Sequence, residues 1–349
     1  MTIILFIVVL LVTVLVHEWG HFVAARKAGM LVEEFGFGIP PRLWSWTRRG
    51  TKYSINALPF GGFVKIAGEN GLEDSVPTDQ QFESKPWYKQ SFVLVAGVLC
   101  NILLAILLFT ASYSLGTPVL SDTGVPKAIH VTRGSPVEQA GIQPGDTIIQ
   151  ASKGIQTIRD VNTSSLKSMI NASTALIAIH YMHNKETRTV AIVPVIKDSV
   201  VSIGIGVEKV ALEYAPFGKA FIQALRKTVS SSTEIFKVVG SLLGKLITGQ
   251  KQEQSLIGPI GLATEIHAAW QIGFGYLLYF TAMISVNLAV INILPFPALD
   301  GGRLIIVLLE RITRRKFSKK VVGLIHASGF ILLIALMIFL SVTDIGRLL

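Results

Sequence analysis

Two histidines and a glutamate stand close together near the N-terminus, inside a run of otherwise apolar residues. His17 and His21 are four positions apart, so on a helix they project from one face and can share a metal ion. Glu18 lies beside them, where its carboxylate can accept a proton from an attacking water. An ionisable group in hydrocarbon costs at least ~2.5 kcal/mol, so such groups indicate function by default. This run therefore predicts a buried, metal-dependent site.

The pattern HExxH at residues 17–21 is the arrangement of zinc hydrolases. A catalytic zinc needs a third protein ligand and one open position for water or substrate. Just downstream, residues 30–39 offer only Glu33 and Glu34 as candidates. The alternative interpretation is structural, with the histidines forming hydrogen bonds between helices and Glu18 acting as a polar contact.

A better candidate for the third ligand lies far away in the sequence, at the end of another apolar run. Within residues 287–303, Pro295 and Pro297 interrupt a helical pattern, and Asp300 follows directly before two glycines. Backbone that is not helical is tolerated at membrane depth only where protein buries it or where it lines a wet cavity. We therefore expect this break to face the site, with Asp300 as the candidate for the third ligand.

The elements that must position these residues are predicted to span a membrane. Of the 349 residues, 50% are apolar and 15% are charged, against roughly 25% charged in soluble domains. Crossing a bilayer takes roughly 20 helical residues. The stretches that qualify are residues 2–25, 91–115, 276–294 and 321–343.

Charge sets the expected orientation of these spans. The net charge of +10 comes from basic clusters that follow the first and third spans. Both loops should therefore be cytoplasmic, with the termini and the segment between spans two and three outside. The clusters can contact membrane lipids, and we expect no nucleic-acid partner because no separate soluble basic domain exists. A cleaved signal peptide would need a basic leader, and no Lys or Arg precedes Arg26.

A membrane-associated β-hairpin is predicted after the first span. Residues 50–68 alternate polar and apolar side chains around Pro59, Gly61 and Gly62, which favours a hairpin over a helix. Two interpretations stay open. The hairpin is a plain cytoplasmic loop, or it offers an exposed edge strand that can pair with an extended peptide.

An α+β segment is predicted between the second and third spans. From about residue 118 to 195, short β-rich runs alternate with turn signals. A helix that starts at Ser135 and Pro136 ends at Gly141, and residues 144–146 then turn the chain into a strand. This pattern resembles the PDZ domains of bacterial membrane and periplasmic proteases. The resemblance implies an inserted extracytoplasmic domain.

An amphipathic segment follows, because residues 216–247 carry apolar positions at helical spacing between charges. The pattern favours a helix in the membrane interface, single or divided near residues 230–232. The predicted fold is thus a polytopic α-helical membrane protein with four transmembrane helices, a membrane-associated β-hairpin and an inserted α+β PDZ domain. The predicted divisions are 1–116 (first membrane half), 117–197 (PDZ), 198–255 (linker and interfacial helices) and 256–349 (second membrane half).

Together, the motifs resemble a known family. HExxH in a first span, with N-x-x-P-x-P-x-L-D-G at residues 292–301, is similar to the double signature of site-2 proteases, the zinc intramembrane proteases. With a PDZ segment between the spans, the chain resembles the regulator-of-sigma-E protease branch. The likeness covers nearly the whole chain, including "GPIGLA" at residues 258–263 and Ala96, Gly97 and Asn101.

The resemblance implies roles for two sets of residues. One zinc ion would be held by His17, His21 and Asp300, with Glu18 as the general base. The second set would contact the unwound substrate or shape the loop beside it. Its members are Asn292, Pro295, Pro297, Gly36, Gly38, Tyr53, Ile55 and Phe63.

The resemblance also implies an activity, an intramembrane endopeptidase of the bacterial inner membrane. Its substrates would be single-span membrane proteins, such as anti-sigma factors or remnant signal peptides, and a peptide or protein would bind the PDZ domain. There are departures from the family pattern. Val98 stands where many relatives have proline, and this chain has room for one PDZ domain where well-known members carry two.

Two other classes of protein are alternatives to the protease. A catalytically silent membrane scaffold that uses the PDZ module for docking would not depend on Glu18. A transporter would need corresponding broken helices in two halves of the chain, and only one such break is visible in the sequence. Both leave His17, Glu18, His21 and Asp300 without a joint explanation.

Overall fold

The computed structural model describes residues 2–69, 75–132, 134–170, 175–197, 200–248 and 258–348. Its helices are α1 (Thr2–Lys27), α2 (Trp87–Leu115), α3 (Pro136–Gln139), α4 (Thr163–Ile170), α5 (Phe217–Thr248), α6 (Pro259–Ile272), α7 (Phe274–Ile293), α8 (Asp300–Thr313) and α9 (Lys319–Leu348). Its strands are β1 (Val32–Arg48), β2 (Thr51–Ile66), β3 (Thr117–Val131), β4 (Thr147–Lys153), β5 (Gln156–Ile158), β6 (Ile177–His183), β7 (Glu186–Ile192), β8 (Val195–Lys197), β9 (Val200–Ser202) and β10 (Ile205–Glu213).

Each of the four predicted spans is a helix in the structure. Helices α1, α2, α7 and the Lys320–Gly346 part of α9 are long and apolar enough to cross a membrane. Their most apolar windows have mean hydropathies of 2.4, 2.9, 1.8 and 2.5. The sequence prediction of these four helices is confirmed.

Helix α2 is the centre of the helical bundle, with α1 on one side and α7 on another. A side chain at Gly20 of α1 would overlap with the Ala96 carbonyl of α2, so glycine lets these backbones come close. Helix α7 is tied to α2 where the Ser285 hydroxyl donates to the Asn101 carbonyl at 2.8 Å. Helix α1, which carries the histidines, and α7, which carries Asn292, are therefore held against a common partner.

Helix α9 lies at the edge of this bundle. Only 6% of the residues in its apolar window are buried among the described residues. Near its C-terminal end, the buried Asp344 carboxylate accepts hydrogen bonds from the Gly258 and Gly261 amides at 3.2 and 2.8 Å. It thereby satisfies amides at the start of α6 that have no partner within that helix.

The β-hairpin is present, but the predicted pairing within residues 50–68 is wrong. Strands β1 and β2 are joined at Arg49 and Gly50, and the register places Phe35 between Tyr53 on one side and Val64 on the other. Both long strands bend, so four short segments lie side by side in the spatial order 42–48, 51–56, 34–39 and 62–66. Alternation of side chains predicts a strand but not its neighbour.

A glycine explains why residues 34–39 can sit between the two arms of the predicted hairpin. A side chain at Gly36 would overlap with the Phe63 ring and lie 2.9 Å from the Ser54 hydroxyl. We call residues 62–66 the edge segment and residues 42–48 the far-edge segment. Each forms one border of the sheet.

The α+β domain is built on a sheet with the strand order β10-β3-β4-β6-β7, in which β5 also pairs with β4. Its core consists of buried apolar side chains from the strands and from α3 and α4, among them Val137, Ile148, Leu166, Ile179 and Tyr181. Strand β10 belongs to this sheet because it pairs with β3, although the predicted division ended at residue 197. The identification of the domain as PDZ remains a prediction.

Helix α5 is continuous, so the alternative with a division near residues 230–232 is wrong. Serine and threonine side chains there donate back to carbonyls one turn earlier, for example from Ser232 to Thr228 at 2.8 Å, which lets them stay within a helix. The buried Ala224 packs in a cluster with residues of α2 and α7, and the Ser231 hydroxyl contacts the Met283 sulfur at 3.4 Å. The first half of α5 therefore packs against the helical bundle.

Candidate metal centre

His17 and His21 lie on the face of α1 that is turned toward α2, and both are buried. Their Nε2 atoms are 3.2 Å apart. The rings fit between the helices because Gly97 of α2 has no side chain. A Cβ at that position would overlap with both imidazoles. One turn of helix thus presents two nitrogen ligands at a single point.

Asp300 completes the group, although it is far away in the sequence. Its Oδ2 atom lies 3.1 Å from each of the two Nε2 atoms. With bonds of about 2.0–2.1 Å, a tetrahedral zinc ion keeps its ligand atoms about 3.3 Å apart, which is close to these spacings. This Oδ2 is buried with no hydrogen-bond partner among the described residues, so the three side chains fit a divalent metal ion.

The outer nitrogens of both histidines have partners on α2. His21 Nδ1 donates to the Val93 carbonyl at 2.8 Å, which leaves the Nε2 lone pair for a metal. His17 Nδ1 lies 3.4 Å from the Asn101 amide, whose oxygen is buried and otherwise unpaired in the described part of the chain. A half-turn of the Asn101 amide group brings this oxygen to His17 Nδ1, where it can accept from Nδ1–H.

The loop between α7 and α8 brings Asp300 to the histidines. Ala298 has a φ of +75°, a conformation that residues with a Cβ seldom adopt. Side chains at Gly301 and Gly302 would overlap with the carbonyls of Ile293 and Phe296, so both glycines are needed for the close turn. As the first residue of α8, Asp300 also lies at a helix N-terminus, which favours a negative charge.

Glu18 lies outside the group of three, between α1 and the sheet. A Cβ at Gly62 would be 3.1 Å from Glu18 Cγ and 3.3 Å from Val14. Gly62 begins the edge segment, so this border of the sheet runs past the predicted general base. The far-edge segment lies on the other side of the sheet.

Of the predicted substrate residues, Asn292 contacts a predicted metal ligand. Its side-chain nitrogen lies 3.3 Å from His17 Nε2. Pro295 and Pro297 lie in the loop before Asp300. Asn292 therefore lies at the same site as the histidines, whereas the two prolines belong to the loop that leads to Asp300.

The other predicted substrate residues lie in the sheet. Gly36 and Phe63 are register neighbours, and Tyr53 stacks on Trp46 with ring centroids 5.2 Å apart. Gly38 has a φ of +79°, and its carbonyl accepts from the Asn56 amide at 2.9 Å. Ile55 is partly exposed. The sheet holds these residues together, but of this set Phe63 alone lies in the edge segment beside Glu18.

Sequence reasoning missed several residues around the site. Val93 acts through a backbone carbonyl, which carries no sequence signal. Arg303 forms an ion pair with the Glu69 carboxylate and donates to the Glu69 carbonyl at 2.8 Å, which joins α8 to the end of the sheet. His326 of α9 accepts a hydrogen bond from the Ala298 amide at Nδ1, over 3.2 Å.

Comparisons with known proteins agree with this geometry. The family profile described as Peptidase family M50 matches residues 5–336. A Nostoc sp. protein that is named as a zinc metalloprotease is 33% identical over 366 positions, which cover 100% of this chain and 97% of that protein. A Clostridium perfringens protein of similar name is 30% identical over 335 positions, covering 95% of each chain. Zinc metalloprotease RasP of Oceanobacillus iheyensis is 29% identical over 432 positions, covering 99% of each.

Among the classes of protein that the sequence left open, these matches support the protease. The relatives are named as zinc metalloproteases, and the profile covers both HExxH and the loop that carries Asp300. Four apolar helices together with this family identify a membrane protein. The chain therefore belongs to peptidase family M50, the site-2 proteases.

Proposed function

We propose that this protein is a zinc-dependent endopeptidase that cuts the transmembrane segments of single-span membrane proteins. The observation that carries the proposal is the position of the three ligand atoms. His17 lies about 22 Å along α1 from Thr2 at 1.5 Å per residue, well inside the apolar part of a spanning helix. A hydrolytic site at this depth suits a substrate that is itself in the membrane.

The chain supplies the groups for hydrolysis. A single bound zinc ion would lower the pKa of a water molecule to about 7 and polarise a carbonyl. Glu18 accepts a proton from the attacking water and returns it to the leaving amine. Asp300 and Glu18 carry two negative charges that offset a divalent cation, so the buried charges compensate one another. Asn292 places an amide donor beside the ligands, where it can stabilise a developing oxyanion.

The edge segment is the proposed place for the unwound substrate. A transmembrane helix hides its peptide bonds in internal hydrogen bonds, so it must unwind before hydrolysis. A sheet edge beside Glu18 offers replacement backbone partners, as in strand addition. In this proposal Phe63 contacts the substrate directly, whereas Gly36, Gly38, Tyr53 and Ile55 shape the sheet that receives it.

The α+β domain is proposed to be a PDZ module outside the cytoplasm. In that arrangement it binds a peptide or protein and selects substrates before they reach the membrane site. The proposed location is the bacterial inner membrane with both termini outside, in line with the basic loops after α1 and α8. Anti-sigma factors and remnant signal peptides are the substrate classes that fit.

The test is cleavage of a single-span reporter by the purified protein in detergent, with zinc content measured on each variant. Glu18→Gln should slow cleavage by at least ~100-fold and retain zinc. Asp300→Ala should lose both cleavage and zinc. Asp160→Ala is the matched control because this carboxylate is exposed on the α+β domain and pairs with Lys209. Wild-type protein that binds no zinc, or cleavage that survives Glu18→Gln, would overturn the proposal.

A further inference from the structure

Helix α9 touches the loop that carries Asp300 at two residues. His326 and Gly329 are three positions apart, so they lie on one face of α9. His326 Nδ1 lies 3.2 Å from the Ala298 amide nitrogen, and Gly329 packs against Pro297. Few residues of α9 are buried, and two of its contacts are with the loop that leads to Asp300.

The hydrogen bond to Ala298 has a defined direction. A backbone N–H can only donate, so His326 Nδ1 is the acceptor and the proton of the neutral ring is on Nε2. Ala298 is the residue with a φ of +75°, two positions before Asp300. An acceptor placed on this amide favours the unusual backbone conformation that turns the chain toward the histidines.

Gly329 makes the second contact with the same loop. A Cβ at this position would overlap with the Pro297 carbonyl oxygen, and it would lie 2.6 Å from the Pro297 carbonyl carbon. The backbone of α9 therefore rests directly on the loop. By contrast, a Cβ at Gly323, six residues earlier on α9, would meet nothing within 4 Å.

We propose that His326 is a positioning residue for the third metal ligand. Its hydrogen bond to Ala298 and the adjoining contact of Gly329 hold the loop in the conformation that directs the Asp300 carboxylate at His17 and His21. The inference rests on the proposed metal role of these three residues. The opposing interpretation is that His326 only fills space between helices.

The two interpretations make opposite predictions for a pair of substitutions. His326→Leu keeps an apolar side chain of useful size but removes the acceptor. In His326→Asn the side chain is smaller, and its Oδ1 can accept from the same amide. A positioning role predicts damage from leucine and rescue by asparagine, whereas a packing role predicts the reverse.

The measurement is zinc affinity of the purified full-length protein in detergent, by competition with a chromogenic chelator. We expect His326→Leu to weaken zinc binding by at least ~10-fold, the cost typical of lost outer-shell contacts, and His326→Asn to stay within about threefold of wild type. Wild-type affinity in His326→Leu, or equal losses in both variants, would overturn the inference. Wild type without zinc removes the proposed function as well, so the two failures are distinguishable.

A glycine pair tests the same contact without touching the histidine. Gly329→Ala should weaken zinc binding by several-fold, whereas Gly323→Ala on the same helix should leave it unchanged. If His326→Leu does not fold, as judged by its unfolding transition, this pair decides the question. Equal zinc affinities for the two alanine variants would count against the proposal.

Discussion

The two halves of the candidate metal centre are built in different ways. His17 and His21 come from one unbroken helix, so their spacing follows from helical geometry alone, and α2 supplies the partners for their outer nitrogens. Asp300 comes from a break between two helices and depends on unusual backbone, close glycine contacts and the neighbouring α9. The histidine half is local and rigid, while the aspartate half is assembled from distant parts.

The largest effect is expected in the histidine half. Gly97→Ala would place a methyl group where the two imidazoles lie, and because both ligands come from one helix they cannot move apart. Zinc binding should fall by at least ~100-fold, the upper range for disturbed metal sites, with cleavage lost in parallel. Gly240→Ala, on α5 with open space around it, is the control. Normal zinc content in Gly97→Ala would show that the histidine half is less rigid than we describe.

A smaller effect is expected in the aspartate half. Gly301→Ala would press on the carbonyls of Ile293 and Leu294 at the end of α7, but the residues between α7 and α8 are not helical, so these two helix ends can shift apart. We expect zinc affinity to fall by about 10-fold, measured by chelator competition. The comparison of the two halves fails if Gly301→Ala is more damaging than Gly97→Ala.

The sheet provides a third prediction, which separates catalysis from metal binding. Proline at positions 62–65 in turn removes one backbone donor at a time from the edge segment. At the most sensitive position, reporter cleavage should slow by about 10-fold, on the order of the loss of one hydrogen bond to a strand partner. Zinc content should not change. Ser45→Pro in the far-edge segment is the matched control, and an equal effect there would argue against substrate pairing beside Glu18.

The smallest effect is expected at the link between α8 and the sheet. Arg303→Lys keeps the charge but loses one of the two donors that reach Glu69. We expect zinc affinity to fall by about twofold to fivefold, a fraction of the usual cost of an outer contact. Arg188→Lys, in an exposed ion pair on the α+β domain, is the comparison variant. A loss as large as that of Gly301→Ala would place Arg303 among the main supports of the loop.

The histidine half and the four apolar helices were predictable from sequence because both depend on local pattern, either helical spacing or hydropathy. Asp300 could be predicted from the helix break together with the family resemblance, but not the way its loop is held. The hairpin shows most clearly what the sequence does not predict. The alternation of polar and apolar side chains predicts strands, but the insertion of residues 34–39 between them depends on the contact of Gly36 with Phe63. Likewise, neither the Val93 carbonyl nor the acceptor on His326 has a signature of its own.

The contacts of α9 predict that the site responds to the thickness of the bilayer. Its uncharged apolar stretch, residues 321–343, is about 35 Å long, whereas a hydrocarbon core is roughly 30 Å thick. Such a helix tilts to match the membrane, and it holds α6 through Asp344 at one end and the loop of Asp300 through His326 toward the other. A change in the tilt of α9 would therefore move the loop that carries the third ligand. Lipids of different chain length should alter zinc affinity before they unfold the protein.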